Sequence, residues 1–317
     1  MVPRIAIPTM LSREALRRPV GAVVSVGGVS MGTRWSARAV GGDAAALQAG
    51  LQGALDGVVA EMSHWEPESD LSRFNRGDIG AWFSLPPALL AVLLTGLDIA
   101  ERSDGAFDPA IGNLVNRWGF GPTADAGAAN GWRAIEVRGG MARRTADVRL
   151  DLSGIAKGYA VDAMAEFLLG QGLANFLVEA GGELRGEGIK PDGQPWWVDL
   201  EAVPGLAMPV TRVALCGLAV ATSGDYRRFH DRGSVRGSHS IDPRSGAPIA
   251  NNVASVTVLH PQAMLADAWA TALTVLGPAA AMAMADAERL AAVLIERLEV
   301  GAREYQSPAF GAMLGET

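Results

Sequence analysis

Apolar residues recur along this 317-residue chain with two different periods. After Asp43, leucine, valine and methionine return every three or four positions as far as Met62, which predicts a helix with Asp43 as its N-cap. Val23–Val29 and Thr33–Val40 are instead short runs rich in β-branched residues. They predict two strands joined through the turn Met31-Gly32-Thr33.

The rest of the chain repeats these two patterns. Further helices are predicted from Pro86-Pro87 to about Arg102, from about Ile155 to Leu169, over Met264–Leu276 and over Ala279–Glu288. Further strands are predicted at Ile135–Val137, Val148–Leu152, Phe176–Glu179, Trp196–Ala202, Thr211–Leu215, Leu218–Thr222, Val253–Leu259 and Ala292–Glu296. Helices and strands come in blocks, which favours an α+β fold with mixed or antiparallel sheets and packed helices over a doubly wound sheet. We expect a flexible lead-in over residues 1–20 and one domain over residues 21–317.

Composition and charge exclude several classes of protein. A hydrophobic content of 49% with 19% charged residues is that of an ordered globular protein. The net charge of −7 without a basic stripe argues against nucleic-acid binding. The single cysteine, Cys216, excludes an internal disulfide framework.

The N-terminal region bears on localisation. Arg17-Arg18 precedes a fairly apolar stretch and imitates an export signal, but the stretch is short and glycine-rich, and no cysteine follows that would carry a lipid. No run reaches the roughly 18–20 apolar residues that span a bilayer. We therefore expect a cytoplasmic protein without a membrane anchor rather than a periplasmic one.

Two segments in the C-terminal third carry the densest chemistry. Ser238–Gly246 places His239, Asp242 and Arg244 in one short loop. Asp267 and Thr271 are four residues apart, so on a helix they share a face and offer two oxygens to one hard cation such as Mg²⁺. The alternative is that Asp267 caps the helix, that Thr271 bonds back to its own backbone and that the loop residues are surface groups.

Three other segments suit a ligand. Asp151–Asp162 predicts a strand, a glycine turn and a helix start with Lys157 in its first turn, a setting that attracts anions. Glu68–Asn75 is dense in hydrogen-bonding groups that suit a ribityl chain or a ribose, and Ala221–Tyr226 ends a strand in small polar residues. An ordinary strand-to-helix connection with a solvated lysine, and a capped short helix, are the alternative interpretations of the first two segments.

Taken together, these segments resemble the ApbE family, the FAD:protein FMN transferases that attach FMN to threonine or serine of flavoproteins. The matching residues run from the Met31 turn to Gly277, through nearly the whole chain. They are Met31-Gly32-Thr33, Met62-Ser63 with Ser69, Ser72 and Asn75, Phe107-Asp108-Pro109 with Trp118-Gly119, Asp151–Asp162, Ala180–Glu183, Thr222–Asp225, His239–Gly246, Ser255–Val258 and Asp267–Thr271.

The resemblance implies a single ApbE-like α+β domain that binds FAD as substrate and Mg²⁺, with Mn²⁺ as a possible substitute. It assigns the metal to Asp267, Thr271 and the main-chain carbonyl of Ala156, and acid–base work to His239, with Asp242 as a second catalytic residue. It further implies FAD contacts at Met31, Ser69, Asn75, Asp108, Lys157, Asp162, Ser223, Asp225, His239 and Arg244.

The reaction implied is phosphoryl transfer, in which a Thr or Ser hydroxyl of an acceptor flavoprotein attacks the FMN-side phosphorus of FAD and AMP leaves. Two other functions remain open: an FAD pyrophosphatase that uses water at the same site, and a non-catalytic FAD-binding protein. The chain departs from the family pattern around the glycine pair Gly181-Gly182, where Glu179 and Glu183 replace the usual small amide and aspartate.

Overall fold

The computed structural model describes residues 3–123, 127, 131–225, 229–232, 235–238 and 240–315, with backbone alone from 229 to 238. In this part of the chain the helices are α1 Ala44–Met62, α2 Asp70–Arg76, α3 Pro87–Arg102, α4 Gly112–Arg117, α5 Ala156–Gly170, α6 Ala263–Leu276, α7 Pro278–Ala287 and α8 Pro308–Met313, with a 3₁₀ turn at Trp132–Ala134. The strands are β1 Arg4–Ala6, β2 Val23–Ser30, β3 Thr33–Val40, β4 Phe83–Ser84, β5 Ile135–Arg138, β6 Met141–Arg144, β7 Phe176–Ala180, β8 Glu183–Glu187, β9 Trp196–Asp199, β10 Thr211–Leu215, β11 Leu218–Gly224, β12 Phe229–Arg232, β13 Val235–Ser238, β14 Ile241–Asp242, β15 Ala247–Pro248, β16 Val253–His260, β17 Ala291–Arg297 and β18 Ala302–Gln306.

These elements form two compact units, each discontinuous in sequence. The first comprises Met1–Leu55, Lys157–Arg227 and Asn251–Thr317, and the second comprises Asp56–Ala156 and Arg228–Ala250.

An eight-stranded antiparallel sheet dominates the first unit, in the order β18-β17-β16-β11-β8-β7-β3-β2. The central strand β16 is buried at every position but its last, whereas the edge strand β2 alternates between exposed and half-buried residues along most of its length. The contrast follows from position, because an edge strand has a neighbour on one side only. Helix α6 packs against β11 and β16, so the sheet fixes the helix that carries Asp267 and Thr271.

The second unit contains α2, α3 and α4 with the small sheet β4-β6-β5 and the hairpin β14-β15. Helix α3 begins with Pro87 at its first position and buries Leu89, Val92, Leu93 and Ile99 completely on one face. Pro at this position costs no hydrogen bond, because first-turn amides have no partner inside the helix.

The predicted α+β class is confirmed, and helices α1, α3, α5, α6 and α7 lie within two residues of their predicted ends. The predicted strand Val148–Leu152 is wrong. Asn75 satisfies both backbone groups of Leu150: its Oδ1 accepts from the Leu150 N–H and its Nδ2 donates to the Leu150 carbonyl, each at 2.8 Å. On this side of the segment a side chain therefore takes the place that a neighbouring strand would occupy. On the other side the described residues form only an isolated parallel bridge, between Arg149 and Ile111.

The structure also departs from the expected loose lead-in over residues 1–20. Arg4–Ala6 forms β1, which pairs in parallel with β10. The Arg4 guanidinium is hydrogen-bonded to both oxygens of Glu304, at 2.6 and 2.8 Å, and this ion pair holds the short strand in place. None of the helices described is both long and apolar enough to cross a bilayer.

Candidate active site

Helices α5 and α6 bring the predicted phosphate and metal groups of the first unit together. Asp267 is buried on α6, and its Oδ2 accepts a hydrogen bond of 2.9 Å from the backbone N–H of Gly158 in the first turn of α5. One turn further along α6, the Thr271 hydroxyl lies 3.3 Å from the hydroxyl of Ser223 on β11. The first turn of α5, one face of α6 and the end of β11, which come from three separate predicted motifs, therefore lie next to one another.

One lysine faces two buried carboxyl groups at this place. The Lys157 ammonium forms an ion pair with Glu183 on β8, whose side chain is 1% exposed. Burial raises the pKa of Glu183 to about 7, and the Lys157 charge only partly opposes it. Burial also raises the pKa of Asp267, again against the attraction of Lys157. With both carboxyl groups ionised, the cluster carries one more negative than positive charge.

The Met-Gly-Thr turn lies beside the same lysine. Met31 and Gly32 both have positive φ, 50° and 69°, as the two central residues of a type I′ hairpin turn between β2 and β3 require. A Cβ added at Gly181, which also has positive φ, would lie 3.2 Å from Thr33 Cγ2 and 3.6 Å from Lys157 Cδ. The turn, the glycine pair and the lysine therefore share one corner of the sheet.

The donor set at this corner fits a hard divalent cation. Asp267 and Thr271 supply a carboxylate and a hydroxyl on one helical face, and both are oxygen ligands. When both carboxyl groups are ionised, the excess negative charge of the cluster favours a cation, and a bound cation in turn favours the ionised forms. Within the described residues no group of three or more His, Cys, Asp or Glu side chains is placed to hold a metal. A magnesium site here must therefore rely on few protein ligands, as Mg²⁺ does when waters and phosphate oxygens complete its shell.

Two predicted FAD contacts of this unit are already occupied by protein groups. Both oxygens of Asp162 accept hydrogen bonds from backbone N–H groups at the start of α6. Asp225 forms a two-point ion pair with Arg297, at 2.8 and 3.3 Å. This arrangement argues against direct contact of either carboxylate with a cofactor.

Ser69 and Asn75 serve structural roles in the second unit. The Ser69 hydroxyl caps α2 by accepting from the Ser72 N–H at 3.0 Å, and it also donates to the Ser63 carbonyl. The amide of Asn75 is engaged with Leu150 through both of its polar atoms. These contacts match the capped-helix interpretation of this stretch.

The other predicted residues of the second unit that the structure describes are likewise engaged with protein groups or with each other. Asp108 is buried and accepts from the backbone N–H groups of Ala110 and Trp132, and burial raises its pKa to about 6. Asp242 and Arg244 form a two-point ion pair at 2.9 and 3.0 Å. Burial acts to raise the pKa of Asp242, but the hydrogen bonds from Arg244 outweigh it and hold that pKa below its usual value.

The predicted catalytic residue His239 lies outside the described residues. Several contacts at the site, in turn, were not predicted from the sequence. The Lys157–Glu183 and Asp162–Arg185 ion pairs join α5 to β8, and no local pattern in the sequence links these positions. His64 Nδ1 also lies 3.7 Å from an oxygen of the buried Asp151, a pairing without a sequence signal.

Comparison with known proteins identifies the family. The sequence model of the ApbE family matches residues 31–294. The chain belongs to the ApbE family. The resemblance drawn from its motifs is thus confirmed over most of its length.

Relatives of this ApbE-family protein carry a consistent description. The FAD:protein FMN transferase of Vibrio cholerae is 34% identical over an alignment of 330 positions, which covers 98% of each chain. That of Salmonella typhimurium is 35% identical over an alignment of 308 positions, which covers 90% of this chain and 88% of the relative. The crystal structure of Pseudomonas stutzeri flavinyl transferase ApbE in its apo form has a TM-score of 0.86 and 34% identity, and the match covers 93% of this chain and 97% of that one.

Proposed function

We propose that this protein is an FAD:protein FMN transferase, which moves FMN from FAD to a Thr or Ser hydroxyl of a flavoprotein through a phosphoester bond and releases AMP. The observation that carries the proposal is the match over 98% of both chains to a relative named FAD:protein FMN transferase. The cluster of Lys157, Glu183, Asp267 and Thr271 supports it, because such a set of groups suits chemistry on a charged phosphate.

The proposed metal is Mg²⁺, held by Asp267, Thr271 and the main-chain carbonyl of Ala156. When bound, such an ion supplies neutralisation of the negative charge that develops on phosphate oxygens. Ala156 is the first residue of α5 and directly precedes Lys157 in the chain. The first turn of α5 also presents backbone N–H groups and a lysine, both of which attract anions.

The proposed reaction forms one P–O bond and breaks another. The acceptor hydroxyl oxygen bonds to the FMN-side phosphorus, the bond from that phosphorus to the bridging oxygen breaks, and AMP leaves with the bridging oxygen and the electron pair. His239 takes the hydroxyl proton, a role that suits an imidazole near neutral pH. Lys157 or Arg244 binds phosphate oxygens, and Asp242 orients Arg244 through the observed ion pair.

The test is a transfer assay with purified protein, FAD, Mg²⁺ and an acceptor flavoprotein, with covalent flavin detected by in-gel fluorescence and mass spectrometry. Asp267→Asn is the informative variant, because its amide oxygen still accepts from Gly158 N–H while the charge is lost. The matched control is Asp286→Asn, which removes an exposed carboxylate from α7.

We expect covalent FMN with wild type and with Asp286→Asn. For Asp267→Asn we expect the transfer rate to fall at least about 100-fold, which corresponds to a few kcal/mol of lost charge stabilisation. Full activity of Asp267→Asn would refute the metal assignment. Rapid release of FMN that is the same with and without acceptor would identify a pyrophosphatase instead.

A further inference from the structure

Helices α5 and α6 each supply a carboxylate to the first turn of the other. Asp162 on α5 accepts from the N–H groups of Ala263, at 3.0 Å, and Met264, at 2.8 Å, the first two residues of α6. Asp267 on α6 accepts from the N–H of Gly158, the third residue of α5. First-turn amides have no partner inside their own helix, so each helix satisfies the other.

Gly158 lets the two backbones touch. A Cβ at this position would lie 2.6 Å from the carbonyl carbon of Ala263 and 2.7 Å from Cα of Met264. Real Cβ atoms do not approach backbone so closely, so only glycine permits this crossing. The two carboxylate contacts therefore lie on either side of a direct backbone contact, and we call this set the α5–α6 clamp: Gly158, Asp162, Ala263, Met264 and Asp267.

Arg185 connects the clamp to the central sheet. Its Nη1 donates to Asp162 Oδ1 at 2.9 Å, and its Nη2 donates to Glu187 at 2.9 Å. The side chains of Arg185 and Asp162 are only 12% and 13% exposed. Arg185 lies on β8 and pairs with Val178 and Ala219 on the two neighbouring strands, so the guanidinium has a rigid base.

We infer that Asp162 is a positioning residue for the divalent cation, which acts by fixing the start of α6 and thereby Asp267 and Thr271. The inference rests on the proposed function, because it concerns the metal site assigned there. Both oxygens of Asp162 are occupied by protein donors, so Asp162 acts through Asp267 rather than as a ligand of its own. Loss of its bonds frees the first turn of α6, and the Asp267 contact with Gly158 loses its fixed geometry.

Outer partners that orient a metal ligand affect metal affinity by about 10- to 100-fold. Asp162→Asn keeps the size of the side chain but replaces one acceptor oxygen by an NH₂ group that faces a backbone N–H. We expect this variant to bind the cation about 10- to 100-fold more weakly. Glu166→Gln is the matched control, because it makes the same kind of change one turn later on α5. The Glu166 side chain is 67% exposed, and its carboxylate lies 3.4 Å from Arg185 Nη1, further than that of Asp162.

The experiment is a Mn²⁺ titration of the full chain followed by electron paramagnetic resonance, with saturating FAD, no acceptor, and a blank of FAD alone. The proteins are wild type, Asp162→Asn, Asp162→Glu, Glu166→Gln and Asp267→Asn, each checked for folding by circular dichroism. Asp162→Glu keeps the charge with one more methylene, so its affinity should lie between those of wild type and Asp162→Asn. If Asp162→Asn does not fold, Asp162→Glu alone carries the test.

Equal Mn²⁺ affinity of wild type and the folded Asp162 variants would overturn the inference. A parallel titration of FAD in EDTA, followed by flavin fluorescence, should give wild-type affinity for Asp162→Asn. A loss of FAD affinity there would overturn the positioning role in favour of direct cofactor contact. If Asp267→Asn binds Mn²⁺ as wild type does, the metal site of the proposed function fails, whatever the Asp162 variants show.

Discussion

Replacement of Gly158 by alanine should destabilise the protein, although alanine is the better helix former. To restore ordinary contact between the new Cβ and the backbone of Ala263 and Met264, the helices must separate by roughly 1 Å. A shift of that size breaks the 2.9 Å hydrogen bond from Gly158 N–H to Asp267. Such a bond to a charged acceptor contributes about 1.5–3 kcal/mol.

Three contributions determine the stability change of Gly158→Ala. Overpacking costs about 1–3 kcal/mol and the lost bond about 1.5–3 kcal/mol, while the helix propensity of alanine returns about 1 kcal/mol. The free energy of unfolding should fall by about 1.5–5 kcal/mol. Unfolding entropy of about 2.1 cal/mol/K per residue gives about 0.7 kcal/mol/K for 317 residues, or about 1.5 °C of Tm per kcal/mol. The melting temperature of Gly158→Ala should therefore fall by about 2–8 °C.

Gly53→Ala is the matched control for this prediction. Gly53 lies in the middle of α1, is exposed, and a Cβ there would meet nothing within 4 Å. The same substitution should thus raise the free energy of unfolding by about 0.5–1 kcal/mol, or roughly 1 °C in Tm. Differential scanning calorimetry of the two variants measures both shifts. A melting temperature of Gly158→Ala at or above wild type would refute the backbone contact between α5 and α6.

Three further predictions concern individual side chains. The pKa of Glu183 is raised from 4.5 to about 7 in the folded state, so between these pH values the folded protein binds a proton that the unfolded chain has lost. The free energy of unfolding should therefore fall as the pH rises from about 4.5 to about 7. Glu183→Gln should flatten this part of the pH–stability profile in urea titrations. Asn75→Ala should lower the free energy of unfolding in urea by about 1–3 kcal/mol, because both backbone groups of Leu150 lose their partner. The affinity for FAD should stay at its wild-type value, and a marked loss of affinity would restore a cofactor role for Asn75. His239→Ala should lower kcat by about 10²–10⁴-fold with little change in FAD affinity, and an unchanged rate in steady-state kinetics would remove its catalytic role.

The sequence predicted elements whose signals are local. Helix α1 follows Asp43, whose Oδ1 accepts from the Ala46 N–H at 2.9 Å, and helix α3 begins at the predicted proline. Helix α2 was expected only as the alternative interpretation of a polar stretch, because its seven residues contain just two large apolar side chains. Short elements of this kind depend on tertiary contacts more than on periodicity.

The candidate site was predictable to the extent that its residues share a motif. The pairing of Asp267 with Thr271 follows from helical spacing, and Lys157 from its place after a glycine turn. The role of Asp162 was not predictable, because its partners at the start of α6 are about a hundred residues away in sequence. A carboxylate that caps a distant helix has the same sequence signature as one that binds a ligand.

The proposed activity is the attachment of FMN to an acceptor protein, with FAD consumed as the donor. It can be tested by mass spectrometry of an acceptor flavoprotein incubated with FAD and Mg²⁺. We expect FMN in phosphoester linkage to a Thr or Ser with wild type, an equal amount of AMP, and neither product with Asp267→Asn or in EDTA. An acceptor that stays unmodified while FAD is cleaved, or modification that persists in EDTA, would contradict it.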